Sequence, residues 1–137
     1  LIEKVENARR DLLLVAERLR DIVSAPRTER PPRKQLKREL ERLHAAACVH
    51  FACAQEGAHL SDALRSPDDS AERVAQLHHE QTRLVAQMSM LAAQADRTDV
   101  AWERLCHDAL GLLSLLCAGD SAAHDELFGP PISASSR

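Results

Sequence analysis

The side chains that could do chemistry in this chain are histidines, cysteines and acids that fall on the inward faces of helical repeats. His50 shares a register with Ala47, Ala54 and Gly57, so small neighbours leave room beside its imidazole. A neutral imidazole suits a transition metal, and it also suits a hydrogen-bonded core position. His78 and His79 cannot both point inward, because successive helical residues turn by about 100°. His78 lies at the edge of its apolar stripe and His79 on the far side, which favours His78. Asp120 and His124 are four residues apart and Cys117 lies three before Asp120. On a continuous helix those three could offer oxygen, nitrogen and sulfur ligands. Gly119-Asp120-Ser121 also reads as a helix stop followed by a new N-cap, which would make Asp120 a cap. His44 and His59 fall off the stripe of the second helix and His107 off that of the fourth, so surface or rim positions are expected for them.

Cys48, Cys53, Cys106 and Cys117 fit neither a CxxC motif nor a zinc-ribbon spacing. Each stands among apolar residues, which reads as small buried thiols in a reducing cytoplasm. Cys53 lies three residues from His50, but no third orienting group or oxyanion donor accompanies the pair. The expectation is therefore a protein that is not an enzyme.

Four periodic segments must position these groups. The first runs from Ile2 to Ser24, with Val5, Ala8, Leu12, Val15, Leu19 and Ile22 on one face. Pro26, Pro31 and Pro32 break it, and Pro32 suits the first turn of the second segment, Pro32 to Leu64. The second stripe is Leu36, Leu40, Leu43, Ala47, His50, Ala54, Gly57, Leu60 and Leu64. Ser66-Pro67-Asp68-Asp69-Ser70 reads as a turn with N-caps, and the third segment runs from Ser70 to Ala95. Its stripe is Val74, Leu77, Gln81, Leu84, Met88, Leu91 and Ala95, with Gln81 the polar exception. Asp96 to Asp99 is a turn in which Thr98 or Asp99 can cap the fourth segment, Val100 to Phe128. There Leu105, Cys106, Ala109, Leu112, Leu113, Leu116, Cys117 and Asp120 share a face, and Gly119 is a candidate kink. Short turns between long helices predict an all-α, antiparallel up-down-up-down four-helix bundle: one domain over residues 1–128 with a loose tail over 129–137.

Composition agrees. Phe51, Trp102 and Phe128 are the only Phe or Trp and there is no Tyr, which argues against β structure. Hydrophobic residues make up 45% and charged residues 28% of the chain, a soluble globular balance. The net charge of -3 implies no strong field. The basic run Arg27, Arg30, Arg33, Lys34, Lys37, Arg38 and Arg42 is diluted by Glu29, Glu39 and Glu41. It reads as a solvated helix face and not as a nucleic-acid surface. No apolar run reaches the ~20 residues of a membrane span, and the first residues do not form a signal peptide.

The run His50-Phe51-Ala52-Cys53-Ala54-Gln55-Glu56-Gly57-Ala58-His59-Leu60 resembles a stretch of bacterial hemerythrin-like (HHE cation-binding) proteins. There a His-Phe pair is followed by acidic residues, a Gly-Gly-Tyr-like stretch and a Leu. Leu77-His78-His79-Glu80 is similar to that family's His-bearing third helix. Leu115-Leu116 through Asp125-Glu126-Leu127-Phe128 is similar to its last. The resemblance spans about Leu36 to Phe128. It implies a bundle core in which histidines and bridging carboxylates hold two irons, and a role with oxygen, peroxide, nitric oxide or iron. Carried over residue by residue, His50 matches the second-helix ligand and His78, less closely His79, the third-helix one. Asp120 stands where the last-helix His belongs and His124 where the acid four residues later belongs. Ala54 occupies the position of a bridging Glu, and the first helix from Ala8 to Leu19 has no His. The resemblance thus implies His50, His78, Asp120 and His124 as metal ligands with non-haem iron as cofactor. The alternative is a bundle that keeps the scaffold without metal and serves as an interaction or regulatory module.

Overall fold

The computed structural model describes residues 2–26, 30–62 and 67–128, with side chains described at 3–26, 30–56 and 72–119. It is an all-α four-helix bundle: α1 (Ile2–Ser24), α2 (Arg33–Asp62), α3 (Pro67–Ala95) and α4 (Trp102–Phe128). α2 packs closely on α1 and on α3, while α4 meets α3 and α1 over shorter stretches and touches α2 across the bundle. Consecutive helices run antiparallel because the connections are too short for anything else.

The termini follow from local chemistry. The Pro32 carbonyl accepts from Leu36 N at 2.9 Å, so the proline without an N–H sits where no donor is required, just before α2. α3 starts at Pro67, three residues earlier than the expected Ser70. Proline's fixed φ suits a first helical turn, so the segment expected to be a turn is already helix from Pro67. α4 starts at Trp102, with the Ala101 carbonyl accepting from Leu105 N at 3.1 Å, so Ala101 and not Thr98 or Asp99 occupies the N-cap position, without a capping side chain. The Asp99 carboxylate is taken instead by the Arg97 guanidinium, through bonds of 3.0 and 2.7 Å. Gly119 does not divide α4, which is continuous to Phe128.

The core is aliphatic. Leu12, Leu19, Leu36, Leu40, Leu43, Met88, Leu105, Leu113 and Leu116 have almost no exposed surface. On α1 the buried face is rotated slightly from the expected one: Ala16 and Val23 are buried where Val15 and Ile22 were expected, and those two pack at the edge. A small satellite cluster of Val5, Ala8 and Cys53 lies apart, where the start of α1 meets the second half of α2. The Arg20 guanidinium reaches Cys117 Sγ at 3.9 Å, which places the middle of α4 beside the last turns of α1. The buried residues of α4 therefore cover the end of the bundle where α1 finishes and α2 begins.

Burial also corrects two expectations drawn from composition. The four cysteines are not uniformly buried: Cys48 is exposed, Cys106 and Cys117 are half-buried, and only Cys53 is enclosed. Glu39 does not belong to a solvated face; it is 6% exposed, between Leu36 and Leu40 on the core side of α2.

Candidate functional site

His50 does point inward, as the α2 stripe requires, and is 5% exposed. Its Nδ1 is enclosed by protein, and its ring lies 5.7 Å from that of Phe51 at a tilt of 52°. Gln81, the polar exception on the α3 stripe, is also buried. Its Oε1 accepts from Gln55 Nε2 at 3.3 Å, which supplies the polar partner that a buried amide needs. The same Gln55 amide lies 2.8 Å from His78 Nδ1. With the amide nitrogen donating to both, Gln55 ties α2 to α3 through one side chain.

His78 is thus a rim residue, exposed and hydrogen-bonded through one ring nitrogen to Gln55. His79 is exposed on the far side, as its position relative to the stripe predicts. The side chains of Asp120 and His124 lie outside the described ones, as does that of His59. Half of the expected ligand set can therefore be placed, one member in the core and one at the edge of a polar bridge. Among the described residues, no group of three or more His, Cys, Asp or Glu side chains is arranged to hold a metal ion. Ala54 is buried and α1 contains no His.

What the sequence motifs did not flag lies on the outside. Residues 84–95 of α3 and 109–119 of α4 contain no Asp, Glu, Lys or Arg. Between the two helices runs a groove of about 320 Å³, floored by Leu91 and Leu112 and edged by Met90, Gln87, Leu115 and Gly111. Met90 is 60% and Leu115 57% exposed, high values for large hydrophobic side chains. Arg104, His107 and Asp108 lie at one end of the groove. The outer face of α1 is the opposite in character, with Glu3, Lys4, Arg10, Asp11, Glu17, Arg18 and Asp21 all exposed. A narrower uncharged stripe on α2, through Ala45, Cys48, Val49 and Ala52, belongs to one helix. The α3–α4 face was legible as two charge-free runs, but helical periodicity ranks inward positions and passes over it.

Comparison of the chain with protein-family models, curated proteins and solved structures finds no match. No helix among the described residues is long and apolar enough to cross a membrane.

Proposed function

We propose that this bundle is a protein-interaction module that works without a metal, with the outer face of α3 and α4 as its contact surface. One observation carries the reading: two adjacent helices leave a partly apolar groove, charged only at the end that holds Arg104 and Asp108, on a chain in which 28% of residues are charged. A soluble helix normally turns charge outward, and an exposed apolar patch with polar edges marks a place where another molecule binds. The inward residues support this by default, since His50 and Gln81 lie within a packed interior. Free thiols, including the exposed Cys48, suit a reducing compartment such as the cytoplasm. A hemerythrin-like iron role would draw, among the described residues, on His50 as its one buried imidazole.

The test is in-cell photo-crosslinking with a photoreactive residue at Leu115, compared with the same residue at Leu14. Leu14 is 48% exposed but sits on the charged face of α1. A discrete partner should be captured from Leu115 and not from Leu14, and purified partner should lose binding to Met90→Glu. Equal capture from both positions, with binding unaffected by Met90→Glu, would remove this face from the account.

A further inference from the structure

The charges of α2 run against the order its own dipole favours. Its first turn holds no acid, and Arg33, Lys34, Lys37 and Arg38 crowd its N-terminal end. Glu56 and Asp62 stand toward its C-terminal end. A helix on its own is stabilised by the reverse, acids first and bases last. Neighbours within the bundle account for part of this. Arg33 donates to the Arg97 carbonyl at 2.9 Å and Lys37 pairs with Asp96 at 2.7 Å, both just past the end of α3. Lys34 and Arg38 are exposed, four residues apart, and make no ion pair among the described residues. Between the two charged ends the outer face is neutral, with Ala45, Cys48, Val49 and Ala52 all exposed. Those side chains are small enough for another helix to approach closely.

A face that reads basic, neutral, acidic along its length complements a reversed copy of itself. We propose that two copies of this chain pair through the outer faces of α2, antiparallel about a two-fold axis beside Cys48 and Val49. Under that symmetry each flank of the helix meets the same flank of the partner. The exposed Arg42 then meets the partner's Glu56, and Lys34 falls opposite the partner's Asp62. Ala45 lies against the partner's Ala52, and Cys48 against the partner's Cys48. Glu41, the one exposed acid in the basic half, falls opposite the partner's neutral Gln55. Every pairing occurs twice across the axis. A slip of one heptad either way would set Arg42 or Glu56 against the partner's Val49, so the charges fix the register. Arg42 and Glu56 are available for this role. Each keeps more than half of its side-chain surface exposed, and the contact from Glu56 to Lys4 is a loose 3.9 Å. A seam of two helices is narrower than a standard interface, so the pair is reversible and forms at high protein concentration. This surface is separate from the α3–α4 face and does not rest on the reading above.

The experiment treats the freshly reduced, concentrated chain with a short bis-maleimide and maps the products by mass spectrometry. A dimer joined from Cys48 to the partner's Cys48 is expected. Its yield should rise with protein concentration, fall with added salt and vanish in Cys48→Ser. Sedimentation without reagent should show the same association in wild type and Cys48→Ser, which separates pairing from trapping. Arg42→Glu and Glu56→Arg should each lower the cross-linked yield by about tenfold or more, because like charges then face each other twice across the axis. The double variant Arg42→Glu/Glu56→Arg should restore it, an outcome that damage to the fold would not give. Circular dichroism melts confirm that all three variants fold. No dimer at any concentration, a link through other cysteines, single variants that cross-link like wild type, or a double variant that stays monomeric overturns the inference.

Discussion

Replacing Glu39 by Leu should stabilise this protein, although it removes an ion pair. Glu39 is 6% exposed, and its Oε1 accepts from Arg42 Nη1 at 2.6 Å. Its Oε2 is enclosed, and no described group donates to it. A buried acceptor left without a partner costs about 1–3 kcal/mol. The Arg42 side chain is 52% exposed, so solvent screens the pair and its loss costs at most about 1 kcal/mol. Leu and Glu have similar helix propensity, and the introduced isobutyl group would join the flank of Leu36 and Leu40. The expected balance is a gain of about 1 kcal/mol, or roughly 3–6 °C in melting temperature for a domain of this size. Glu39→Gln is the control: its amide nitrogen would be a buried donor in place of a buried acceptor, so no comparable gain is expected. Urea unfolding of the three proteins at neutral pH, with matched slopes, provides the measurement. A loss of about 1 kcal/mol or more in Glu39→Leu would refute the reasoning, because it would mean the second oxygen is satisfied in solution.

Leu113→Ala, at a position with no exposure, should cost about 2–5 kcal/mol in the same assay, whereas Leu115→Ala should stay within about 0.5 kcal/mol. The Lys37 ammonium, 2.7 Å from Asp96, holds that carboxyl below its ordinary value of 3.8, first by the hydrogen bond and then by charge. A lowered carboxyl contributes stability above its unfolded value and loses it as pH falls through the folded one. Wild type should therefore melt higher than Asp96→Asn at pH 7, and the gap should close as pH is taken well below 3.8. A gap that persists in strong acid would assign it to something other than the charge. Thiol labelling should be led by exposed Cys48. Cys106 should lag, because burial, and then the Glu103 charge, push its thiol above the ordinary value. Loss of the fastest phase in Cys48→Ser is the check.

The helices were readable because their determinants are local. The spacing of Leu36, Leu40, Leu43 and Ala47 and the prolines at 31 and 32 fix α2 without reference to any other segment. Which edge of a stripe is buried depends on neighbours, so Ala16 and Val23 displaced Val15 and Ile22 on α1. Glu39 shows the same limit: one residue short of Leu40, it reads as solvated until packing encloses it. Gln81 was correctly marked as a polar intrusion, but its partner Gln55 stands on another helix and could not be identified from spacing. For the expected metal set, sequence register placed His50 inward and His78 at the edge. Convergence is a tertiary property, and helical periodicity does not encode it.

The central claim is that the interior is a packed core and the working surface lies outside. Metal loading tests it most directly. Protein exposed to ferrous iron or zinc under reducing conditions, desalted and assayed for metal, should retain less than ~0.1 ion per chain, with no change in His50→Ala. Stoichiometric metal that disappears in His50→Ala would contradict the account and return the function to the core.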